Sequence, residues 1–194
     1  MALSTTTSWP EPSVILGERV YLRYPRMADY PEWADLRGRS RAFLKPWEPS
    51  WSHDELSRIG FRHRIRRYQR LVREDLSYAF FVALKENDRL VGGCTLSNVR
   101  RGVTQCCSLG YWTGEPFAGQ GLMTEAVRAV VTHAFTRMGL HRIEAACLPH
   151  NEPSKRLLQR VGFRLEGEAL RYLKIDGQWR DHLLFAILED DPRT

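Results

Sequence analysis

Residues Tyr111 to Ala126 read Tyr-Trp-Thr-Gly-Glu-Pro-Phe-Ala-Gly-Gln-Gly-Leu-Met-Thr-Glu-Ala. A strand pattern ends, glycines follow, and a helical pattern begins at once. The first amides of a helix have no intrahelical partner and carry partial positive charge. Gly119 and Gly121 remove the side chains that would keep an anion away from them. Such an entrance can hold a phosphate or pyrophosphate on backbone alone; glycines between a strand and a helix can also simply make the turn. Two nucleotide patterns fail: no Lys-Ser or Lys-Thr follows the glycines, and Thr124 stands where a dinucleotide fingerprint needs its third glycine.

The elements that must position this loop follow from periodicity. Val14 to Arg23 alternates as a strand, and Arg26 to Arg39 reads as a short helix. Phe43 to Trp51, with two prolines and two tryptophans, reads as an aromatic loop. Ser52 and Glu55 have the spacing of a capping box, so a long helix is expected from Ser52. Ser77–Lys85, Leu90–Val99 and Cys106–Thr113 form a three-strand meander. A helix spans about Leu122 to Met138 and stops at Gly139. Arg142–Cys147 is a strand, and Asn151 caps a short helix ending before Gly162. Phe163–Arg171 and His182–Leu188 are strands, and Asp176-Gly177 between them is a hairpin signal. A meander combined with crossover helices implies an α/β (α+β) architecture with a mixed sheet. One domain over residues 14–190 is expected, with residues 1–13 as a loose N-terminal arm.

The chain has 194 residues, 43% hydrophobic and 27% charged, which suits one globular domain. No apolar run reaches the roughly 20 residues that span a bilayer, and the first residues lack a secretory pattern. A cytoplasmic location is expected, with no membrane partner. The four cysteines, Cys94, Cys106, Cys107 and Cys147, form no CxxC pair and lie at no zinc-ligand spacing from histidine. Buried reduced thiols are expected, with neither a disulfide framework nor a metal site. The net charge of +6 favours acidic partners. Arg58, Arg62, Arg66 and Arg70 recur every four residues, so a helix would align them as one stripe. The stripe is either a solvated face or a surface for RNA or an acidic polypeptide.

Several motifs in a fixed order carry a resemblance: Gly110-Tyr111-Trp112, Gly119-Gln120-Gly121-Leu122-Met123-Thr124-Glu125-Ala126, and His141-Arg142-Ile143-Glu144-Ala145. Others are Pro149-His150-Asn151-x-x-Ser154, Gly162-Phe163-x-x-Glu166-Gly167, and the run from Tyr172 to His182. Over about residues 17–188 the chain resembles the GNAT superfamily of N-acetyltransferases, and within it the RimJ/RimL branch that acetylates ribosomal-protein N-termini. The RimJ-type, alanine-specific enzymes are the nearest in pattern.

The resemblance implies the GNAT fold: a mixed, mostly antiparallel sheet of about seven strands, a splayed central pair, and about four flanking helices. It implies acetyl-CoA as co-substrate and no metal. Tyr111, Trp112 and Thr113 would face the pantetheine arm. Gly119, Gln120, Gly121, Leu122, Met123 and Thr124 would hold the pyrophosphate, with Asn151 and Ser154 near the thioester. Trp47, with Pro46, and Tyr172 would border the acceptor. Two positions depart from the superfamily's pattern: Pro116 replaces a frequent Gln or Arg, and Leu158 replaces a frequent tyrosine acid, so no tyrosine acid carries over.

The expected reaction is direct attack of an amine on the thioester in a ternary complex. At pH 7 an α-amine of pKa near 8 loses its proton at a cost of about 1.4 kcal/mol, and a lysine at about 4.6. With no unmistakable base in the sequence, the terminal amine is the easier acceptor. Glu144 is the candidate base, acting through water, or else an ion-pair partner. Ser154 is the candidate donor to the departing thiolate, or else makes a local helix contact. Cys147 as a covalent carrier lacks an activating histidine. A small-molecule amine or antibiotic acetyltransferase and a non-catalytic acyl-CoA-binding ribosome-assembly factor are the other readings.

Overall fold

The computed structural model describes residues 14–192; the expected arm over residues 1–13 lies outside them. Eight strands form one sheet in the order β1-β2-β3-β4-β5-β6-β8-β7. They are β1 (Val14–Leu16), β2 (Val20–Arg23), β3 (Tyr78–Leu84), β4 (Leu90–Arg100), β5 (Cys106–Thr113), β6 (Arg142–Cys147), β7 (Arg164–Ile175) and β8 (Gln178–Leu188). Every neighbouring pair is antiparallel except β5 and β6. The helices are α1 (Tyr30–Arg39), α2 (Arg41–Leu44), α3 (Arg58–Arg73), α4 (Leu122–Thr136) and α5 (Glu152–Val161).

Helices cover both faces of the sheet. Phe80 and Phe81 are adjacent in β3 and so point to opposite sides. Phe80 meets His133 of α4, and Phe81 meets Phe61 of α3. The core runs through both layers, with Val20, Leu22, Phe61, Leu96, Val127, Ile143, Leu158 and Ile187 fully enclosed. All four cysteines are buried and free, as expected. Among the described residues, no helix is long and apolar enough to cross a membrane.

The strands expected over Phe163–Arg171 and His182–Leu188 run further into the hairpin, to Ile175 and from Gln178, and three further departures from the sequence-based expectation stand out. The single strand expected over Val14–Arg23 is two strands joined by a tight turn, closed by Gly17 N–H donating to Val20 O at 2.9 Å. Eight strands therefore replace seven. The helix expected from Ser52 begins at Arg58, capped by Ser57, whose Oγ accepts from Gly60 N at 2.9 Å. Glu55 cannot complete a box with Ser52, because its carboxylate is bound by Arg64 and lies 3.8 Å from Arg37. The aromatic stretch Phe43–Trp51 is partly regular: α2 runs into a 3-10 turn over Lys45–Trp47. This short helix brings the α-helix count to five.

Candidate active site

The central strands part company. β5 and β6 pair from Cys106↔Arg142 to Leu109↔Ala145 and then stop. β5 continues through Gly110–Thr113, still paired with β4 as far as Thr113↔Gly92. β6 continues through Ala146 and Cys147, paired with β8. One backbone edge of Gly110–Thr113 therefore faces a wedge rather than a strand. Unpaired strand edges offer a row of hydrogen-bonding groups to an extended ligand.

The glycine loop stands at the end of β5. A 3-10 turn over Glu115–Phe117 is pinned by buried Phe117 and by Glu115 N–H donating to Ser40 Oγ at 2.9 Å. Gly119 and Gly121 then adopt left-handed φ of 74° and 78°, which favour glycine. Gly121 caps α4 without any side-chain hydrogen bond. The amides of residues 119–124 have no acceptor among the described residues. The side chains of Leu122 and Met123 are buried in the core, so these two residues have only backbone to present. The Gln120 side chain folds back, donating to Pro116 O at 2.9 Å.

Glu125, four residues after Gly121, fastens this helix start to β2. Its carboxylate accepts from Arg19 N (2.6 Å), Arg19 Nε (3.0 Å) and Val20 N (3.0 Å). Burial pushes its pKa up, but those hydrogen bonds outweigh burial and hold it below the usual glutamate value. A Cβ on Gly17 would lie 2.7 Å from this carboxylate, which explains a glycine there. The Arg19 guanidinium also reaches Gln120 O at 3.3 Å, placing a cation beside the glycines. Glu125 and Arg19 had no assigned role from sequence. An acidic residue in the first helical turn was the available signal for Glu125.

Across the wedge, Asn151 caps α5, its Oδ1 accepting from Ser154 N at 3.1 Å. Ser154 Oγ lies 2.7 Å from the hydroxyl of Tyr111, which spans from β5 to α5. Burial pushes the Tyr111 phenol well up. Burial also pushes the Cys147 thiol up, while the Ser154 hydroxyl acts in the opposite sense on it.

Trp112 points the other way. Its ring and that of Trp51 sandwich the buried Arg37 guanidinium, at 4.8 and 4.4 Å. Arg37 binds both oxygens of Glu48, at 2.7 and 2.8 Å, and Trp51 Nε1 donates to the same carboxylate. The backbone of Glu48 accepts from Asp176 N at the β7–β8 turn. This cluster ties the loop after α2 to β5 and to the C-terminal hairpin, and it was not legible in sequence. The loop brings Trp47 to His150, with ring centroids 5.5 Å apart, next to Asn151 at the start of α5. Tyr172 lies on the outermost strand, exposed and edge-on to His182 at 5.9 Å. Glu144 sits in the paired half of β6, opposite Ser108. One of its oxygens binds Arg142 at 3.0 Å and the other Arg100 at 3.2 Å.

On α3, Arg58, Arg62, Arg66 and Arg70 are all exposed. None forms an ion pair among the described residues, whereas Arg64, on another face, turns in to Glu55. No cluster of three or more metal-ligating side chains occurs among the described residues.

Comparison with known proteins meets this geometry. The model of the acetyltransferase (GNAT) domain matches residues 19–164. A probable N-acetyltransferase of Bacillus subtilis (strain 168), YjcK, is 37% identical over 178 residues, covering 92% of this chain and 98% of that protein. The ribosomal protein uS5-alanine N-acetyltransferase of Escherichia coli (strain K12) is 36% identical over 174 residues, covering 90% of each. The structure of Mycobacterium smegmatis RimJ in complex with CoA-disulfide superposes with a TM-score of 0.87 at 35% identity, covering 92% of this chain and 88% of that one. A glycine-lined helix start, a parted parallel pair and this degree of likeness lead to one conclusion: the chain belongs to the GNAT family of N-acetyltransferases, in its RimJ-like branch.

Proposed function

We propose that this chain acetylates the N-terminal α-amine of a protein, a ribosomal protein beginning with alanine, in the cytoplasm. The observation that carries the reading is the run of unpartnered amides at residues 119–124 beside the open edge of β5. That arrangement fits a diphosphate followed by an extended amide-bearing arm, which is the shape of coenzyme A.

Acetyl-CoA supplies the acetyl group as an activated thioester. The backbone of Gly119 to Thr124 holds the diphosphate, and the backbone of Tyr111, Trp112 and Thr113 pairs with the arm. Trp112 contributes main chain here, since its ring is committed to Arg37. Asn151 contributes the side-chain amide that its cap leaves over. Ser154 donates its hydroxyl hydrogen toward the sulfur, at a helix start that favours negative charge. Trp47 and Tyr172 line the acceptor's approach, with His150 beside Trp47.

A terminal amine suits this site because it asks little of a base. Glu144 accepts one hydrogen bond on each oxygen, from Arg142 and from Arg100, and each oxygen keeps a further lone pair for a water. Catalysis rests chiefly on placing amine and thioester together. The E. coli relative acts on alanine of uS5 by name, which supports an Ala-starting acceptor. The exposed arginines of α3 repeat about every 6 Å along the helix. We assign them to an acidic partner surface, ribosomal RNA in the setting of a ribosomal substrate.

The test is an acceptor panel: Ala-starting peptides, lysine-bearing peptides with blocked N-termini, and free small amines. Preference for the Ala-starting peptides is expected, together with an N-terminal acetyl group that disappears from one cellular protein when the chain is removed. A preference for small amines would replace this acceptor. Changing Arg62, Arg66 and Arg70 to glutamine should weaken salt-sensitive ribosome binding and leave short-peptide turnover intact. Unchanged ribosome binding would return the stripe to a solvated face.

A further inference from the structure

We propose that Tyr111 is a positioning residue for acetyl transfer: its phenol donates to Ser154 Oγ and so aims the serine's own proton into the wedge, toward the sulfur of coenzyme A. The inference rests on the acetyl-transfer reading above and goes beyond it by giving the Tyr111 side chain a part in the chemistry.

The two oxygens lie 2.7 Å apart, and either atom could donate by distance alone. Chemistry settles the direction. A phenol is the stronger acid of the two and hence the better donor. The other acceptor near it is the Ser154 carbonyl, at a poor 3.5 Å. If serine donated instead, the phenol hydrogen would be left without a good acceptor in a buried setting, which is unfavourable. With the phenol donating, both hydrogens are used. Tyr111 satisfies Ser154, and Ser154 is left with one hydrogen to give. The result is a chain of two hydroxyls ending at the wedge, each bond polarising the next.

The buried neighbourhood keeps the phenol neutral: burial pushes its pKa up and outweighs the Ser154 hydrogen bond, which pulls it down. A permanently protonated phenol is a fixed donor rather than a proton source. Ser154 lies in the first turn of α5, on which Asn151 has already satisfied the Ser154 amide. A serine at such a position can otherwise swing to a nearby backbone carbonyl, and the phenol removes that freedom.

In the transfer, the amine nitrogen forms a bond to the acetyl carbon and the carbon–sulfur bond breaks. The electron pair of the broken bond goes to sulfur, and the surplus proton of the nitrogen goes to water. Ser154 stabilises the sulfur anion by hydrogen bonding, and solvent protonates it on release.

Binding tests this without turnover. Calorimetry would compare CoA with desulfo-CoA, which lacks the thiol, from about pH 7 to 10, spanning ordinary thiol ionisation. The groups that face this spot and also titrate are Cys147 on β6, Cys94 on β4, and Glu152 and Lys155 on α5. They act on both ligands, so the difference between ligands isolates the sulfur. The wild type should gain roughly tenfold in affinity for CoA over desulfo-CoA as pH rises, equivalent to one unit of thiol pKa. Tyr111→Phe and Ser154→Ala should each lose most of that gain with desulfo-CoA affinity kept, and Ser154→Ala, which strands the buried phenol, should melt lower than Tyr111→Phe.

In turnover, Tyr111→Phe should lower kcat roughly tenfold at unchanged KM for acetyl-CoA. The double variant should be no slower than Ser154→Ala alone. Additive losses, or a sulfur-dependent gain that survives in Tyr111→Phe, would overturn the role of Tyr111 and leave acetyl transfer standing. That role also falls, with acetyl transfer untouched, if wild type binds CoA with no sulfur-dependent gain. Failure of the wild type to bind either ligand would remove the acetyl-transfer reading itself.

Discussion

Helices α4 and α5 both begin at the wedge, and they begin in opposite ways. α4 starts behind Gly121, with no side chain capping it and its first amides open. α5 starts behind Asn151, which satisfies the Ser154 amide within one turn, and a Glu152–Lys155 pair at 2.6 Å closes the same turn. One helix offers backbone and the other offers a hydroxyl. An entrance with open amides cannot stabilise itself, so it is held from outside, by Glu125 bound to Arg19 and to Val20 at the start of β2. The self-capped entrance needs no such tether and can place one side-chain atom firmly.

The largest effect that would break this contrast is at Gly121. Its φ of 78° costs an L-residue about 1–2 kcal/mol, and a branched side chain would stand where an anion must approach. Gly121→Val should reduce CoA affinity at least a hundredfold, to beyond about 3 kcal/mol by calorimetry, while the protein stays folded by circular dichroism. Ordinary affinity in a folded variant would show that α4's amides are not the cradle.

Much of this contrast was legible in the sequence, because both helix starts are written locally. Glycines at 119 and 121 and an asparagine at 151 are signals read within one turn. β5 and β6 begin and end where the pattern places them. The rest depends on residues far apart in the chain. Ser52-x-x-Glu55 satisfies the spacing of a capping box, but Glu55 is claimed by Arg64 and approached by Arg37, and Ser57 takes the cap. The turn at Gly17 exists where Glu125 comes close, more than a hundred positions away. Tyr111 and Ser154 are 43 residues apart, and neither has a periodicity that announces the other. The Arg37–Trp51–Trp112 stack draws on α1, an irregular loop and β5. Local rules reach the donors of a site; the partners that aim them come from tertiary packing.

The tether gives the second test. Glu125→Gln keeps the shape, loses the charge, and turns an amide hydrogen toward donors. A loss of about 2 kcal/mol is expected from the urea midpoint, with the slope unchanged. The pH dependence has a definite sign. The folded pKa of Glu125 lies below the ordinary 4.5, so its stabilisation is complete above 4.5. It fades as pH falls from 4.5 through the lower folded value. The difference in stability between wild type and Glu125→Gln should therefore shrink on acidification in that window. A constant difference would mean that the carboxylate's charge is not what holds α4 in place.

The smallest effect sharpens the comparison most, because it asks whether α5's cap is only a cap. Asn151→Ala should cost about 1 kcal/mol of stability, the usual loss for an N-cap. Asn151→Asp should restore it, since a carboxylate oxygen can accept from the Ser154 amide and suits a helix N-terminus. The two variants separate the two ends of the asparagine. Oδ1 is engaged by the Ser154 amide, while Nδ2 has no partner among the described residues. If that nitrogen donates to coenzyme A, Asn151→Asp will recover stability yet remain several-fold weaker for CoA, a deficit of about 1 kcal/mol for one lost hydrogen bond. If both stability and affinity return with aspartate, α5 satisfies its own backbone and offers the ligand Ser154 alone. The division of labour between the two helix starts would then be complete: main chain from α4, one hydroxyl from α5.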